Sequence, residues 1–309
     1  MTEQLNLEAP AQAPPMARPP GTGFIPTPEP GIYKDIDAEL YHQWDAMSNS
    51  WLKVLGGKSP KHFRWQRDHP RSMTKSMFAG KLLHSLCLER FSFALHYAVG
   101  PDGLNRTAKK AWAEFEAANA PKPCIPKAEF DTACGMADSL MQHKRIRSLL
   151  TDGQPEVSIV WTDAETGIRC KARLDYLLPP CIGDIKTTSD GDEWAFAKAI
   201  DTYGYYQQAA FYLDGGRAAG LDTTMFAFAT VESEAPQDCY ICVPKPATIA
   251  AGRHAYKSAL WAYRGCLQQE AQHPGDPANW PGRHEQDILE LDMPTYALRR
   301  EGIEERETL

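Results

Sequence analysis

The sequence predicts an α/β protein with a mixed central sheet flanked by helices. Three observations carry that prediction. Helical periodicity runs from Ser48 to about residue 150, the period then shortens to that of strands, and helix and strand patterns alternate from there to residue 272. Helices, three strands, a helix, a strand pair and a final helix are the order expected when helices cover both faces of one sheet. At 309 residues the chain can bury a sizeable core. The expected organisation is a tail over 1–30 followed by one domain over 31–309.

The elements follow in chain order. Residues 1–30 hold Pro10, Pro14, Pro15, Pro19, Pro20, Pro26, Pro28 and Pro30 and little that could form a core, so a disordered tail is expected. MSNSWLKVLGG offers Ser48 or Asn49 as a cap, Trp51, Leu52 and Leu55 as an apolar stripe, and Gly56 with Gly57 as a stop. A second helix begins at Ser59-Pro60, where proline suits the first turn. In residues 77–91, Phe78, Leu82, Leu83, Leu86 and Leu88 recur at helical spacing. Residues 106–120 and 126–150 read as two more helices, the latter ending in the basic cluster His143, Lys144, Arg145 and Arg147. EVSIVW (156–161), residues 168–178 and residues 182–188 are strand-like, with turns at 163–167 and 179–183. A helix is expected from about Asp192 to Leu213, strands at 225–232 and 239–244, and a last helix over 247–272.

Composition excludes several classes. No run of 18 apolar residues is present and the N-terminus lacks a secretory layout, so a cytoplasmic protein with no membrane partner is expected. The net charge of −7 argues against a passive basic coat on nucleic acid but leaves room for an enzyme with a local basic track. Eight irregularly spaced cysteines read as reduced thiols, and Cys239 and Cys242, a lone CxxC inside an apolar run, read as buried thiols rather than a zinc or iron-sulfur site. No G-x-S-x-G stands in the chain, which disfavours a serine hydrolase, and no G-x-x-x-x-G-K-[ST] loop is present to drive a helicase motor.

The chemistry concentrates in RCKARLDYLLPPCIGDIKTTS, residues 169–189. Alternation along a strand puts Arg169, Lys171, Arg173 and Asp175 on one face, and Asp184 and Lys186 project together two residues apart. If the strands pair across 179–183, both aspartates and the lysine meet at one end of the hairpin. Two carboxylates held close repel unless a cation compensates, and oxygen ligands of this kind suit Mg2+ or Mn2+. Lys186 could then serve the attacking water and offset developing charge, an arrangement suited to phosphodiester hydrolysis. The competing reading is a surface hairpin with exposed ion pairs.

On these residues the chain resembles the PD-(D/E)XK nucleases, specifically their RecB-like and RecE-like exonuclease branch. LDYLLPPCIGDIKT supplies the Asp that closes one strand, Asp175, and the Asp-x-Lys on the next, Asp184-Ile185-Lys186. Residues 48–63 resemble the branch's opening signature, with a Ser where iron-sulfur members carry Cys before the proline. GKLLH resembles the family's Gly-x-x-x-His helix, and Glu156 matches its acidic residue in the first strand. YYQQAAFY contains Gln208-x-x-x-Tyr212, like the motif that follows the catalytic strands.

The resemblance implies a restriction-endonuclease-like core, about residues 75–245, with extra N-terminal helices. It implies that His84, Asp175, Asp184 and the Ile185 carbonyl hold the metal, that Glu156 takes a second ion or a water, that Lys186 serves the nucleophile, and that Gln208 and Tyr212 support the substrate. The activity implied is a phage or prophage exonuclease digesting linear double-stranded DNA 5′ to 3′ inside the bacterial host cell. Its 3′ overhangs would feed a single-strand annealing protein, and its assembly would be a ring of three or four subunits. Lys171, Arg173, Arg106, Lys109, Lys110 and the 143–147 cluster are candidates for backbone contact. A single-strand nuclease or endonuclease of the same fold, and a non-catalytic DNA-binding recombination protein, stand as alternatives.

Overall fold

The computed structural model describes residues 24–69, 73–88, 92–285 and 288–302. Of the expected tail, residues 1–23 lie outside the described residues. Residues 24–30 run beside the folded chain, where Ile25 bridges to Trp44 and the Pro28 carbonyl accepts from Arg169.

In chain order the N-terminal part comprises β1 (Gly31–Tyr33), α1 (Ala38–Gln43), α2 (Asn49–Gly57), α3 (Pro60–Asp68), α4 (Lys75–Leu88), α5 (Phe93–His96), β2 (Ala98–Val99), α6 (Lys109–Asn119), β3 (Cys124–Ile125), α7 (Lys127–Gln142) and α8 (Lys144–Asp152). The rest comprises β4 (Gln154–Thr162), β5 (Arg169–Leu178), β6 (Cys181–Thr188), α9 (Glu193–Thr202), α10 (Tyr205–Ala218), β7 (Met225–Glu232), β8 (Cys239–Cys242), α11 (Pro246–Gln272) and α12 (Thr295–Arg300). Six strands form one sheet in the order β1-β4-β5-β6-β7-β8, with β6 and β7 parallel and the other neighbours antiparallel. The mixed sheet flanked by helices agrees with the fold class read from the sequence.

Local chemistry explains the boundaries. Ser59 Oγ accepts from the His62 N–H at 3.2 Å and Pro60 opens α3. Asp192 caps α9 through the Trp194 and Ala195 N–H groups. Two helices expected to be continuous are broken. The stretch 126–150 divides at His143, whose ring accepts from the Ile146 N–H and starts α8. The stretch 192–213 divides at Gly204, which adopts φ 64°, a left-handed conformation that glycine takes without a Cβ clash.

Two apolar layers cover the sheet. One joins Val157, Ile159, Trp161, Cys170, Ala172 and Leu174 to α2, α10 and α11. The other joins Leu82, Leu83 and Leu86 of α4 and Leu140 of α7 to Ile185, Ala229 and Val231. No disulfide joins the cysteines among the described residues, and Cys170 and Cys181 are among the buried ones. No described helix is long and apolar enough to cross a membrane.

Candidate functional site

The hairpin pairs as its sequence suggests: Tyr176 faces Gly183, Leu177 faces Ile182 and Leu178 faces Cys181. Past Tyr176 the ladder ends, so Asp175 and Asp184 stand where the two strands part. The expected alternation does not survive to that point. Leu174 and Leu177 both join the layer beneath α10, whereas Tyr176 joins the opposite layer with α4. The side-chain phase therefore slips beside Asp175, so that Tyr176 leaves the layer that alternation from Leu174 would give it. Beside the slip, Glu156 of β4 holds φ 55°, a conformation sparsely populated without glycine.

Asp175 is turned toward β6 and α4. Its Oδ2 accepts from the Ile185 N–H at 2.9 Å and lies 3.5 Å from His84 Nδ1. The other ring nitrogen of His84 lies 3.2 Å from the Ile185 carbonyl oxygen. His84 is carried by α4, whose Leu82, Leu83 and Leu86 pack in one layer with Ile185 of β6 and so hold the helix beside that strand. Asp184 is 2% exposed. Gln208 donates to its Oδ1 at 2.6 Å, and the Lys186 ammonium pairs with its Oδ2. Tyr212, one turn along α10, bonds to the Gln208 side chain.

The electrostatics follow from this crowding. Burial and the neighbouring Asp184 push Asp175 up to about 7. Burial works against the Lys186 ammonium, but Asp184 and Asp175 outweigh it and keep the group above its ordinary value. A pair of hard carboxylates, one imidazole and one carbonyl oxygen is a donor set that suits Mg2+ or Mn2+. Burial and the like charge of Asp184 outweigh the opposing influence of His84 and Lys186 on Asp175. Among the described residues no three His, Cys, Asp or Glu side chains close into a finished metal cage. Gln208 and Lys186 hold the Asp184 oxygens instead.

The structure thus brings His84, Asp175, Asp184, Ile185, Lys186, Gln208 and Tyr212 together. Glu156 stands one strand away and is engaged by Arg173, whose Nη1 also donates to the Ile36 carbonyl. Lys171 requires a correction. It is 2% exposed, and its ammonium donates to the carbonyls of Tyr41, His42 and Trp44, so it anchors the N-terminal segment and is closed to a nucleic-acid backbone. Arg106 pairs with Glu129, while Lys109, Lys110, Lys144, Arg145 and Arg147 are exposed.

Sequence reasoning missed two neighbours. Tyr205 puts its ring 4.9 Å from Lys186 Nζ, and Lys53 of α2 is close enough to Lys186 and Asp184 to feel both charges. Tyr205 begins the YYQQ run, an aromatic three residues before Gln208. Nothing local marks Lys53, which lies more than 120 positions away from the strand it serves.

A family model described as a PDDEXK-like domain of unknown function (DUF3799) matches residues 48–276. Among solved structures the chain is similar to a "Putative exonuclease" from Eubacterium rectale, at 15% identity and a TM-score of 0.56, covering 86% of this chain and 98% of that one. At that identity the likeness shows the fold alone. A second solved chain, SSO0001, aligns at 14% identity over 60% of this chain and 88% of that one, with a TM-score of 0.24, and carries no argument. No curated protein matches the sequence.

Proposed function

The chain belongs to the DUF3799 family of PDDEXK-like domains, in keeping with the resemblance and the restriction-endonuclease-like fold read from its sequence, and on that premise we propose that it is a metal-dependent DNA nuclease. The observation that carries this reading is the meeting of Asp175, Asp184, His84 and the Ile185 carbonyl where β5 and β6 part, with Lys186 on the same carboxylate.

In this reading Asp175, Asp184, His84 and the Ile185 carbonyl hold Mg2+ or Mn2+. When bound, such an ion supplies positive charge to the phosphoryl oxygens and acidifies water at the site. Lys186 orients the attacking water and meets the charge that develops on the phosphoryl group. Gln208 fixes Asp184 through a hydrogen bond that a buried carboxylate needs, and Tyr212 fixes Gln208 in turn. Glu156, held by Arg173 and at φ 55°, stands in β4 across from Asp175 in the register.

The finer reading is an exonuclease acting on linear duplex 5′ to 3′ and leaving 3′ overhangs for a single-strand annealing protein, with copies of the chain closed into a ring. It is supported by the resemblance of the motifs from Ser48 to Tyr212. The test is digestion of end-labelled linear duplex beside closed circular DNA, in magnesium and in chelator. Loss of label from the linear form only, and only with magnesium, is expected. Cutting of the circle would make the protein an endonuclease of the same fold, and an inert wild-type protein would overturn the reading.

A further inference from the structure

The site has a rim that the proposed hydrolysis does not use. Lys53 reaches it from α2, a helix fixed by Leu52 and Leu55 in the core and by a buried hydrogen bond from Gln207 to Asn49 at 3.0 Å. The Lys53 ammonium donates to the Tyr203 carbonyl at 2.9 Å, which leaves it further protons to give. Gly204 makes the approach feasible: a Cβ there would lie 2.8 Å from Lys53 Cδ. The same turn presents the Tyr203 side chain, 59% exposed, with its ring 5.6 Å from that of Tyr205. Tyr205 in turn lies over Lys186. An ammonium and a ladder of two rings thus run from the Asp-x-Lys strand out to solvent.

A cation beside an exposed aromatic face is the pairing that takes a nucleic-acid strand, with phosphate on the one and a base on the other. Bases inside a duplex are already stacked on each other, so a ring can receive one only where the strand has come apart. Resting on the nuclease reading, we propose that Lys53 and Tyr203 grip one unpaired strand at the rim of the site, Lys53 on a backbone phosphate and Tyr203 stacked on the adjacent base. The ligand class is therefore a frayed or single-stranded end, and duplex DNA enters the site with its terminal nucleotides separated.

The experiment measures binding of a short single strand carrying a fluorescent adenine analogue at its end, in calcium, and hydrolysis in magnesium. The proteins are wild type, Tyr203→Ala, Tyr203→Trp, Lys53→Met and Lys53→Arg, each checked for an unchanged unfolding midpoint. Tyr203→Ala should weaken binding about 5- to 100-fold and abolish quenching of the analogue, with Tyr203→Trp restoring both. Lys53→Met should reduce the slope of log affinity against log salt by about 0.7, with Lys53→Arg restoring it. KM should rise more than kcat falls in both damaged variants. If Tyr203→Ala and Lys53→Met bind and quench as wild type does while wild type degrades DNA, the grip is overturned and the nuclease reading stands. Equal losses on a duplex whose ends are closed by hairpins would also overturn it. A wild-type protein that neither binds nor degrades overturns both.

Discussion

Replacing Asp175 by asparagine should make the protein more stable and less active at once. The Asn side chain keeps an oxygen to accept from the Ile185 N–H, the 2.9 Å bond that Asp175 now satisfies, and removes the charge. In the folded protein that carboxyl sits at about 7 against an ordinary 3.8, because it is buried and faces Asp184. A carboxyl raised in this way is protonated in the folded chain at pH values where the unfolded chain has already released its proton. Stability therefore falls as pH climbs from about 4 to about 7, and the whole cost is present above that range. At about 1.4 kcal/mol for each pH unit, the ceiling on that cost is about 4 kcal/mol at pH 8. At pH 5 less than half of it remains. Thermal unfolding of Asp175→Asn and wild type in chelator should differ by several degrees at pH 8, with the variant higher, and the gap should narrow at pH 5. Magnesium should then raise the wild-type midpoint at pH 8 and leave the variant nearly unmoved, a readout of metal holding that needs no substrate. A variant that melts at or below wild type at pH 8, with a gap indifferent to pH, would refute the account of a buried, like-charged pair.

The remaining expectations concern the neighbours of that pair. Asp184→Ala and Lys186→Ala should each abolish magnesium-dependent degradation while the circular dichroism spectrum stays native; residual activity near wild type in either would remove the site assignment. Gln208→Leu strips a hydrogen bond from a buried carboxylate, so a stability loss of about 1–3 kcal/mol and a fall in kcat of about 10- to 100-fold are expected, read by denaturant titration and by digestion rate. Lys171→Met removes the donor to three carbonyls of the N-terminal segment, at about 1–3 kcal/mol, and should speed proteolysis between residues 24 and 47. Gly252→Ala would place a Cβ 2.0 Å from the Tyr206 carbonyl oxygen and force α11 off α10, costing about 3 kcal/mol or more by thermal unfolding.

The sequence by itself determined what depends on near neighbours. The three-strand run, the turn at 179–183 and the two-residue spacing of Asp184 and Lys186 are short-range properties, and the period of apolar residues declares them. Helix limits were legible where a cap or a proline stood, as at Ser59 and Asp192. A long helical pattern hid two breaks, because a single Gly204 or His143 barely changes the period around it.

Tertiary structure alone decided which charges face inward and which distant residues meet. Lys171 and Arg173 share a strand pattern with any solvated basic face, and only the N-terminal segment laid across them turns one into a buried anchor and the other into a partner of Glu156. The slip beside Asp175 shows only in the tertiary layers, Leu174 and Leu177 in one and Tyr176 in the other, so alternation within β5 could not reveal it. His84 and Lys53 reach the aspartates through the packing of α4 and α2, each more than 90 positions from β6 in sequence. Their approach is fixed by apolar faces buried elsewhere, because a local pattern records that a helix has a buried side but not what that side is buried against.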